Sequence, residues 1–235
     1  LGARRAAAEQ SLARLGSVRH RRLAILERAD RDTYEAVLWL RANRQVFART
    51  VHEPVLVELT IRDPSAARAI ETCLSWPVQR TFVCECRADY DMLTRELIDR
   101  RGWRLNVVEL EGGRPLEAYT PPVPPAELHA LGFERYALEC VDAPTDVLRY
   151  LCSAAALHSI PIARGRTVDP AAVERVRTLR RYIVADTVFT VAYSSYGQRV
   201  AQTMSRELKP LRNFAQNVDP AEADAARRAV DGAAH

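Results

Sequence analysis

The first 45 residues follow a helical pattern of apolar and polar positions. Residues 3–45 contain no proline and are rich in alanine, arginine, leucine and glutamate, a composition that predicts a long helix. Four apolar residues within this segment fit a heptad seam: Leu23, Leu26, Val37 and Leu40. Asp30 and Thr33 interrupt the seam as polar residues, so the heptad pattern is imperfect.

We interpret residues 1–50 as a coiled-coil arm. The expected weak point is Gly16-Ser17, where the serine can act as the N-cap of a new helical segment. At about 1.5 Å per residue the arm would reach roughly 60 Å, which is too long to pack wholly on one small domain.

The pattern changes after residue 51 to short strands and helices in alternation. Strands are predicted over 55–61, 81–86 and 104–110, and helices over 65–76 and 89–101. Asp63-Pro64 supplies the start of the first helix, and Gly102 ends the second. This β-α-β-α-β order predicts an α/β subdomain over residues 51–110.

Prolines and glycines dominate residues 111–126. We interpret this range as a stiff, extended linker between two subdomains, with a proline-rich ligand of an SH3 domain as the alternative.

A second subdomain is predicted over residues 127–216. Its expected helices cover 126–131, 144–158 and 170–179, and its expected strands cover 135–140, 160–163, 182–185 and 188–193. Residues 194–212 have no clear pattern, and a capping box at Asp219 predicts that a returning coiled-coil arm occupies 217–235. The predicted fold is therefore mixed α/β (α+β), with two small subdomains inserted in an antiparallel coiled coil.

Composition narrows the class of protein. Of 235 residues, 48% are hydrophobic and 27% are charged, which is enough apolar material for a folded core. No run approaches the ~18 apolar residues of a membrane helix, so no membrane partner is expected. The five cysteines are an odd number in a long chain, which argues against a disulfide scaffold and for a reducing, intracellular compartment. The chain does not begin with methionine, so a fragment of a longer protein is expected.

Charge is separated into blocks. Residues 1–50 carry a net charge of +6, residues 51–159 carry −6, residues 160–215 carry +6 and the last twenty carry −2. Such blocks are typical of a chain that offers one face to a polyanion, although ordinary solvated faces explain them equally well.

No catalytic or metal motif is present in the sequence. It lacks phosphate-binding and dinucleotide-binding glycine loops and the nucleophile elbow of hydrolases. Cys84 and Cys86 have the wrong spacing for a zinc site, and His129 and His158 lack a partner histidine at metal-binding spacing. We therefore predict a non-enzymatic module without metal or cofactor.

Several segments, in order along the chain, resemble the hinge domain of structural maintenance of chromosomes (SMC) proteins, in the subunit-five branch. The stretch from His52 to Pro64, HEPVLVELTIRDP, is similar to the opening of that domain. Later segments agree, including Asp142-Ala143-Pro144, Leu157–Ile162 and Ser195-Tyr196-Gly197. The resemblance covers about residues 51–220, with predicted coiled coil on either side.

The resemblance implies a function. Hinges of this family pair two long arms, and the subunit-five hinge is expected to bind the hinge of subunit six in a nuclear, chromosome-bound complex for DNA repair and recombination. ATPase heads lie at the far ends of the arms. Hinges of this branch are also associated with DNA, with single strands preferred.

The same resemblance suggests candidate residues near the junction of hinge and arm. Arg199 is the expected DNA-binding residue that matches the pattern of the branch. Arg206, Lys209 and Arg212 lie downstream and are expected to replace a basic residue that the pattern has where this chain has Tyr193; solvent-exposed arm residues are the alternative for the arginines. Tyr193 and Tyr196 are expected to stack on a base or on the partner hinge. The alternative is that they are ordinary core tyrosines. Two rival functions remain open: an α/β enzyme or small-molecule sensor with a helical dimerisation arm, and the hinge of another SMC branch.

Overall fold

The structure, a computed structural model, describes residues 2–165, 168–193 and 201–215, and for residues 2–15 it describes the backbone alone. The α-helices are α1 (Gly2–Ala29), α2 (Arg31–Ala42), α3 (Val55–Glu58), α4 (Ala67–Cys73), α5 (Trp76–Gln79), α6 (Arg87–Thr94), α7 (Pro125–Ala130), α8 (Thr145–Ala155) and α9 (Pro170–Arg175). A π-helical turn, Arg95–Arg100, continues α6. Within the described ranges no helix is both long and apolar enough to cross a membrane.

In the described ranges, three sheets accompany these helices. The strands are β1 (Val51–His52), β2 (Thr60–Ile61), β3 (Thr81–Cys84), β4 (Asn106–Glu109), β5 (Arg135–Tyr136), β6 (Val141–Asp142), β7 (Pro161–Ala163), β8 (Arg181–Val184), β9 (Thr187–Tyr193) and β10 (Ala201–Glu207). Their orders are β1-β3-β4, β2-β6 and β10-β9-β8-β7-β5. The predicted mixed α/β class is confirmed.

The central strand of the first sheet explains one successful prediction. All four residues of β3 are buried, and the strand pairs in parallel with β4 and antiparallel with β1. A strand covered on both faces reads as a continuous apolar run, which is how 81–86 appears in the sequence. The hairpin of β8 and β9 also confirms the two strands predicted after residue 181.

The strand predicted over 55–61 is wrong for its first half. Pro54 precedes a helical turn, α3, whose residues Val55, Leu56 and Val57 are all buried. The backbone closes a helical turn here, since the Leu59 N–H donates to the carbonyl oxygen of Val55 at 2.9 Å. Only Thr60–Ile61 forms a strand, paired with β6.

The incoming helix breaks at Asp30, so the predicted break at Gly16-Ser17 is wrong. Asp30 is the N-cap of α2: its carboxylate accepts hydrogen bonds from the Thr33 N–H at 3.2 Å and the Thr33 hydroxyl at 2.8 Å. The same carboxylate pairs with Arg80 at 2.6 Å. The two polar residues that interrupt the heptad seam are therefore a helix start.

Two apolar clusters form the interior. The larger contains all four seam residues, from Leu23 to Leu40, together with residues from both sides of the 111–126 linker, such as Phe82 and Leu151. The seam therefore packs on the globule over this stretch. The smaller cluster lies on the other face of the five-stranded sheet and includes Tyr182 and Phe133. The division into 51–110 and 127–216 stays a prediction, and the returning arm at 217–235 lies outside the described residues.

All five cysteines are buried free thiols. Burial raises the pKa of Cys73 to about 11 and that of Cys152 to about 11. The thiols of Cys73 and Cys152 are therefore protonated at neutral pH and serve as small apolar side chains.

Candidate interaction surface at the chain junction

The last described segment, residues 208–215, is fastened to the globule through its backbone. Glu71 of α4, only 6% exposed, accepts hydrogen bonds from the backbone N–H groups of Arg212, Asn213 and Phe214 at 3.0 to 3.2 Å. One carboxylate thus binds three successive amides, in the way that a backbone nest binds an anion. This contact holds residues 212–214 against α4.

Two further side chains of α4 hold the same segment. Arg68 donates to the carbonyl oxygens of Leu208 at 2.8 Å and Lys209 at 3.1 Å. The Thr72 hydroxyl accepts the Lys209 N–H at 3.0 Å. Because the backbone makes these contacts, the side chains of Lys209 and Arg212 remain exposed.

The incoming helix meets this segment at Arg22. Its guanidinium carbon lies 4.9 Å from the centre of the Phe214 ring, and its Nη1 donates to the carbonyl oxygen of Leu59. Burial, with the nearby charges of Arg19 and Arg21, lowers the pKa of Arg22 to about 10. The face of the Phe214 ring therefore stabilises the poorly hydrated guanidinium of Arg22. The contact also joins α1 to residues 208–215.

Much of the positive charge on the incoming helices is already neutralised. Arg41 and Arg44 pair with the buried carboxylate of Glu53 at 2.7 and 3.0 Å, and Arg19 pairs with Glu58 at 2.8 Å. Burial raises the pKa of Glu53, but the hydrogen bond and charge of Arg41, with the charge of Arg44, outweigh it and leave the pKa below its usual value. These pairs hold residues 19–44 against residues 53–58 and leave the three arginines weaker candidates for binding a polyanion.

Arg206, Lys209 and Arg212 differ from those arginines. All three side chains are exposed, and none forms an ion pair with any other residue in the described parts of the chain. Lys209 and Arg212 line a cavity of about 300 Å³ together with Trp76, Gln79 and other residues of this region. A half-buried indole beside two cations is a combination suited to a nucleotide, since a base stacks on the ring while the phosphates meet the charges.

The structure separates the predicted tyrosine from these cations. Tyr193 donates its hydroxyl to the carbonyl of Glu174 at 2.8 Å, and Arg180 covers its ring at 4.6 Å. Arg206 of β10 is the register partner of Val188 on β9. Val188 belongs to the larger apolar cluster, whereas Tyr193 packs against the smaller one. Tyr193 and Arg206 therefore lie on opposite faces of the sheet. Along β9, Tyr193 also lies five residues, or about 17 Å, from the position opposite Arg206.

Tyr193 therefore has the environment of a core tyrosine. Tyr196 and Arg199 lie outside the described residues. Sequence reasoning did not single out Trp76, which appeared there only as the end of a predicted helix, whereas the structure places it at the start of α5.

Known proteins resemble this chain in sequence. Structural maintenance of chromosomes protein 5 of Schizosaccharomyces pombe is 25% identical over 203 residues, which cover 80% of this chain and 18% of that protein. The protein of the same name from Caenorhabditis elegans is 24% identical over 209 residues, covering 86% and 19%. The chain thus spans less than a fifth of the length of these curated relatives. No family model matches it.

Solved structures resemble its fold. The crystal structure of the S. pombe Smc5/6 hinge domain superposes with a TM-score of 0.78 at 22% identity, covering 96% of this chain and 85% of that one. An asymmetric dimer of the Geobacillus stearothermophilus SMC hinge domain gives 0.51 at 16% identity, covering 99% and 92%. Both of these structures are of SMC hinge domains. The chain therefore has the fold of an SMC hinge domain, and its resemblance to the subunit-five branch of that family is confirmed.

Proposed function

We propose that this chain joins two coiled-coil arms by pairing with a second SMC hinge, that of subunit six. The observation that carries the proposal is the contact between Arg22 of the incoming helix and Phe214 of the outgoing segment, at 4.9 Å. A contact between the incoming helix and the outgoing segment is what we expect of a domain that joins an incoming and a returning coiled-coil arm. The similarity to the S. pombe Smc5/6 hinge domain supports the choice of partner.

The edge of the five-stranded sheet offers a surface for pairing. Strand β10 is outermost, and only β9 pairs with it within the described residues. At its centre Met204 is 57% exposed, more than any other large apolar side chain in the described residues. A strand edge with unpaired backbone groups recruits another strand readily, and an interface that holds two arms should bury at least about 1,200 Å² in total.

The first prediction concerns this edge. Met204→Glu is expected to weaken association with the partner hinge by at least about tenfold, because the new carboxylate must be desolvated at the interface. The measurement is light scattering and titration calorimetry on mixtures with the hinge of subunit six. Met92→Glu is the matched control, since Met92 is 40% exposed on α6, far from the edge in the chain. Equal loss in both variants, or none in Met204→Glu, would contradict pairing at β10.

We also propose that Arg206, Lys209 and Arg212, with Trp76, bind DNA, and single strands in preference to duplex. Two observations support this: the three cations have no ion-pair partner in the described residues, and Trp76 lines the same cavity as Lys209 and Arg212. An aromatic side chain at the cavity favours unpaired bases, because a duplex keeps its bases stacked internally. Arg199 and Tyr196 remain candidate members of this surface.

The second prediction is a loss of DNA affinity on charge reversal. Replacing Arg206, Lys209 and Arg212 by glutamate should weaken binding of a 30-nucleotide single strand by more than about tenfold and lower the salt slope by about 2. The backbone contacts that anchor residues 208–214 remain, so the fold should persist. Fluorescence anisotropy at several salt concentrations measures both effects.

The control reverses three exposed arginines that are paired with acids elsewhere: Arg62, Arg100 and Arg104. It changes the net charge equally. If both triple variants lose affinity alike, the effect is one of total charge and the assigned surface is wrong. Tighter binding of a duplex of the same length would reject the single-strand preference.

We further propose that the whole protein acts in the nucleus, on chromosomes, in DNA repair and recombination. The support is the resemblance to proteins named for chromosome maintenance in a yeast and a nematode. Fluorescent tagging of the full-length protein tests the location, and a diffuse cytoplasmic signal would contradict it.

A further inference from the structure

Three potential metal ligands meet where β1, the end of β3 and the start of α8 come together. The Nε2 atom of His52 lies 3.8 Å from Oε1 of Glu85 and 3.7 Å from Oδ2 of Asp146. The three ligand atoms all lie within 4.8 Å of one another. Imidazole nitrogen with two carboxylate oxygens is a donor set that first-row divalent cations bind.

The histidine supplies a second, independent observation. His52 is 8% exposed, and its Nε2 is buried without a hydrogen-bond partner in the described residues. A buried nitrogen left unpaired costs on the order of 1–3 kcal/mol, so native structures seldom tolerate one without a reason. This nitrogen is directed between two carboxylates, which points to a bound cation.

The carboxylate of Asp146 is held in place for this role. Arg149, one turn along α8, donates to its Oδ1 at 2.6 Å and leaves Oδ2 toward His52. Arg149 is itself fixed by the carbonyls of Leu110, Gly113 and Arg114, each at 3.1 Å. Such outer groups orient the ligands of metal sites and are typical of them.

The distances fit an ion better than direct ion pairs. Charge-assisted N–H···O bonds are about 2.7–2.9 Å long, well below the 3.7 and 3.8 Å separations here. Two ligand atoms that are each about 2.0–2.2 Å from zinc lie at most about 4.4 Å apart, so both pairs have room for it. The two carboxylate oxygens lie within 4.8 Å of each other, and the side chain of Glu85, 28% exposed, has room to adjust to an ion.

We propose that His52, Glu85 and Asp146 bind a divalent cation of the zinc type, with water completing its coordination. The ion connects β1 and the end of β3, which precede the 111–126 linker, with α8, which follows it. It therefore fastens the two predicted subdomains beside the base of the incoming arm. The site does not depend on the proposed pairing or DNA binding.

The test is calorimetric titration of the whole chain with ZnCl₂ after EDTA stripping and exchange into metal-free buffer. One Zn²⁺ should bind, with Mg²⁺ far weaker because it disfavours imidazole. Glu85→Gln and Asp146→Asn should each weaken Zn²⁺ binding by more than about tenfold, since even loss of an orienting group costs ten- to hundredfold. His52→Gln should abolish it.

Matched controls are His20→Gln and Glu117→Gln, which replace an exposed histidine and an exposed carboxylate elsewhere and should leave affinity unchanged. X-ray absorption of the zinc-loaded wild-type chain should show only nitrogen and oxygen neighbours, and it needs no variant to fold. A sulfur neighbour at about 2.3 Å would assign the metal to a cysteine and overturn the proposal. So would no binding at 100 µM Zn²⁺, or unchanged binding in all three ligand variants.

Discussion

Glu71→Ala is expected to lower the free energy of unfolding by about 3–4 kcal/mol and to release residues 208–215 from the globule. The carboxylate is buried and accepts the backbone N–H groups of residues 212, 213 and 214. Hydrogen bonds to a charged group contribute about 1.5–3 kcal/mol each, and removal of the acceptor leaves three amides to find water. Urea denaturation measures the loss, and hydrogen exchange of those three amides measures the release.

Two controls separate the carboxylate from the change of size. Glu71→Gln keeps one acceptor oxygen but loses the charge, so its loss of stability should lie between wild type and Glu71→Ala. Glu117→Ala removes an exposed carboxylate and should change stability by less than about 0.5 kcal/mol. Slow exchange of amides 212–214 in Glu71→Ala would show that other contacts hold the segment and that the carboxylate has no anchoring role.

Elements whose signals are local were predictable from the sequence. Strand β3 appears as an unbroken apolar run because both of its faces are covered, and the start of α9 follows from Asp169-Pro170, where the aspartate accepts the Ala171 N–H at 3.0 Å. Each of these signals depends on residues within a few positions of one another, which is where sequence patterns carry information.

Other elements depend on contacts that no local pattern contains. Glu71 sits one residue from Ile70 in a helix and reads as a surface acid, but its partners lie about 140 positions later in the chain. His52 likewise lies close to Asp146 in space but far from it in the chain. A buried polar residue is identified by what the folded chain brings to it, so the anchor and the candidate metal site both escaped prediction.

The heptad seam shows how one pattern supports two structures. Leu23, Leu26, Val37 and Leu40 are spaced as in a coiled coil, and the same spacing suits a helix that lies on a globular core. The structure buries all four in the main cluster. Asp30 sets the local helix boundary, because as an N-cap bonded to Thr33 it separates the end of α1 from the start of α2.

Phe214→Ala is expected to lower the free energy of unfolding by about 3–5 kcal/mol, the range for a buried phenylalanine. The ring is 1% exposed in the main apolar cluster, so truncation leaves a cavity. It also removes the face that lies 4.9 Å from the Arg22 guanidinium, a cation whose pKa burial lowers to about 10. Thermal and urea denaturation measure the loss, and Phe214→Leu, which keeps most of the volume without the ring face, should lose less than half as much.

A double-mutant cycle with Arg22→Met separates packing from the cation–ring contact. If the ring stabilises the buried cation, Phe214→Ala should cost more in the wild-type background than in the Arg22→Met background, by about 0.5–2 kcal/mol. Equal costs would mean that Phe214 acts only by filling space. The coupling bears on the proposed joining of two arms because Arg22 belongs to α1 and Phe214 to the last described segment. A positive coupling would show that α1 and residues 208–215 stabilise each other through this contact.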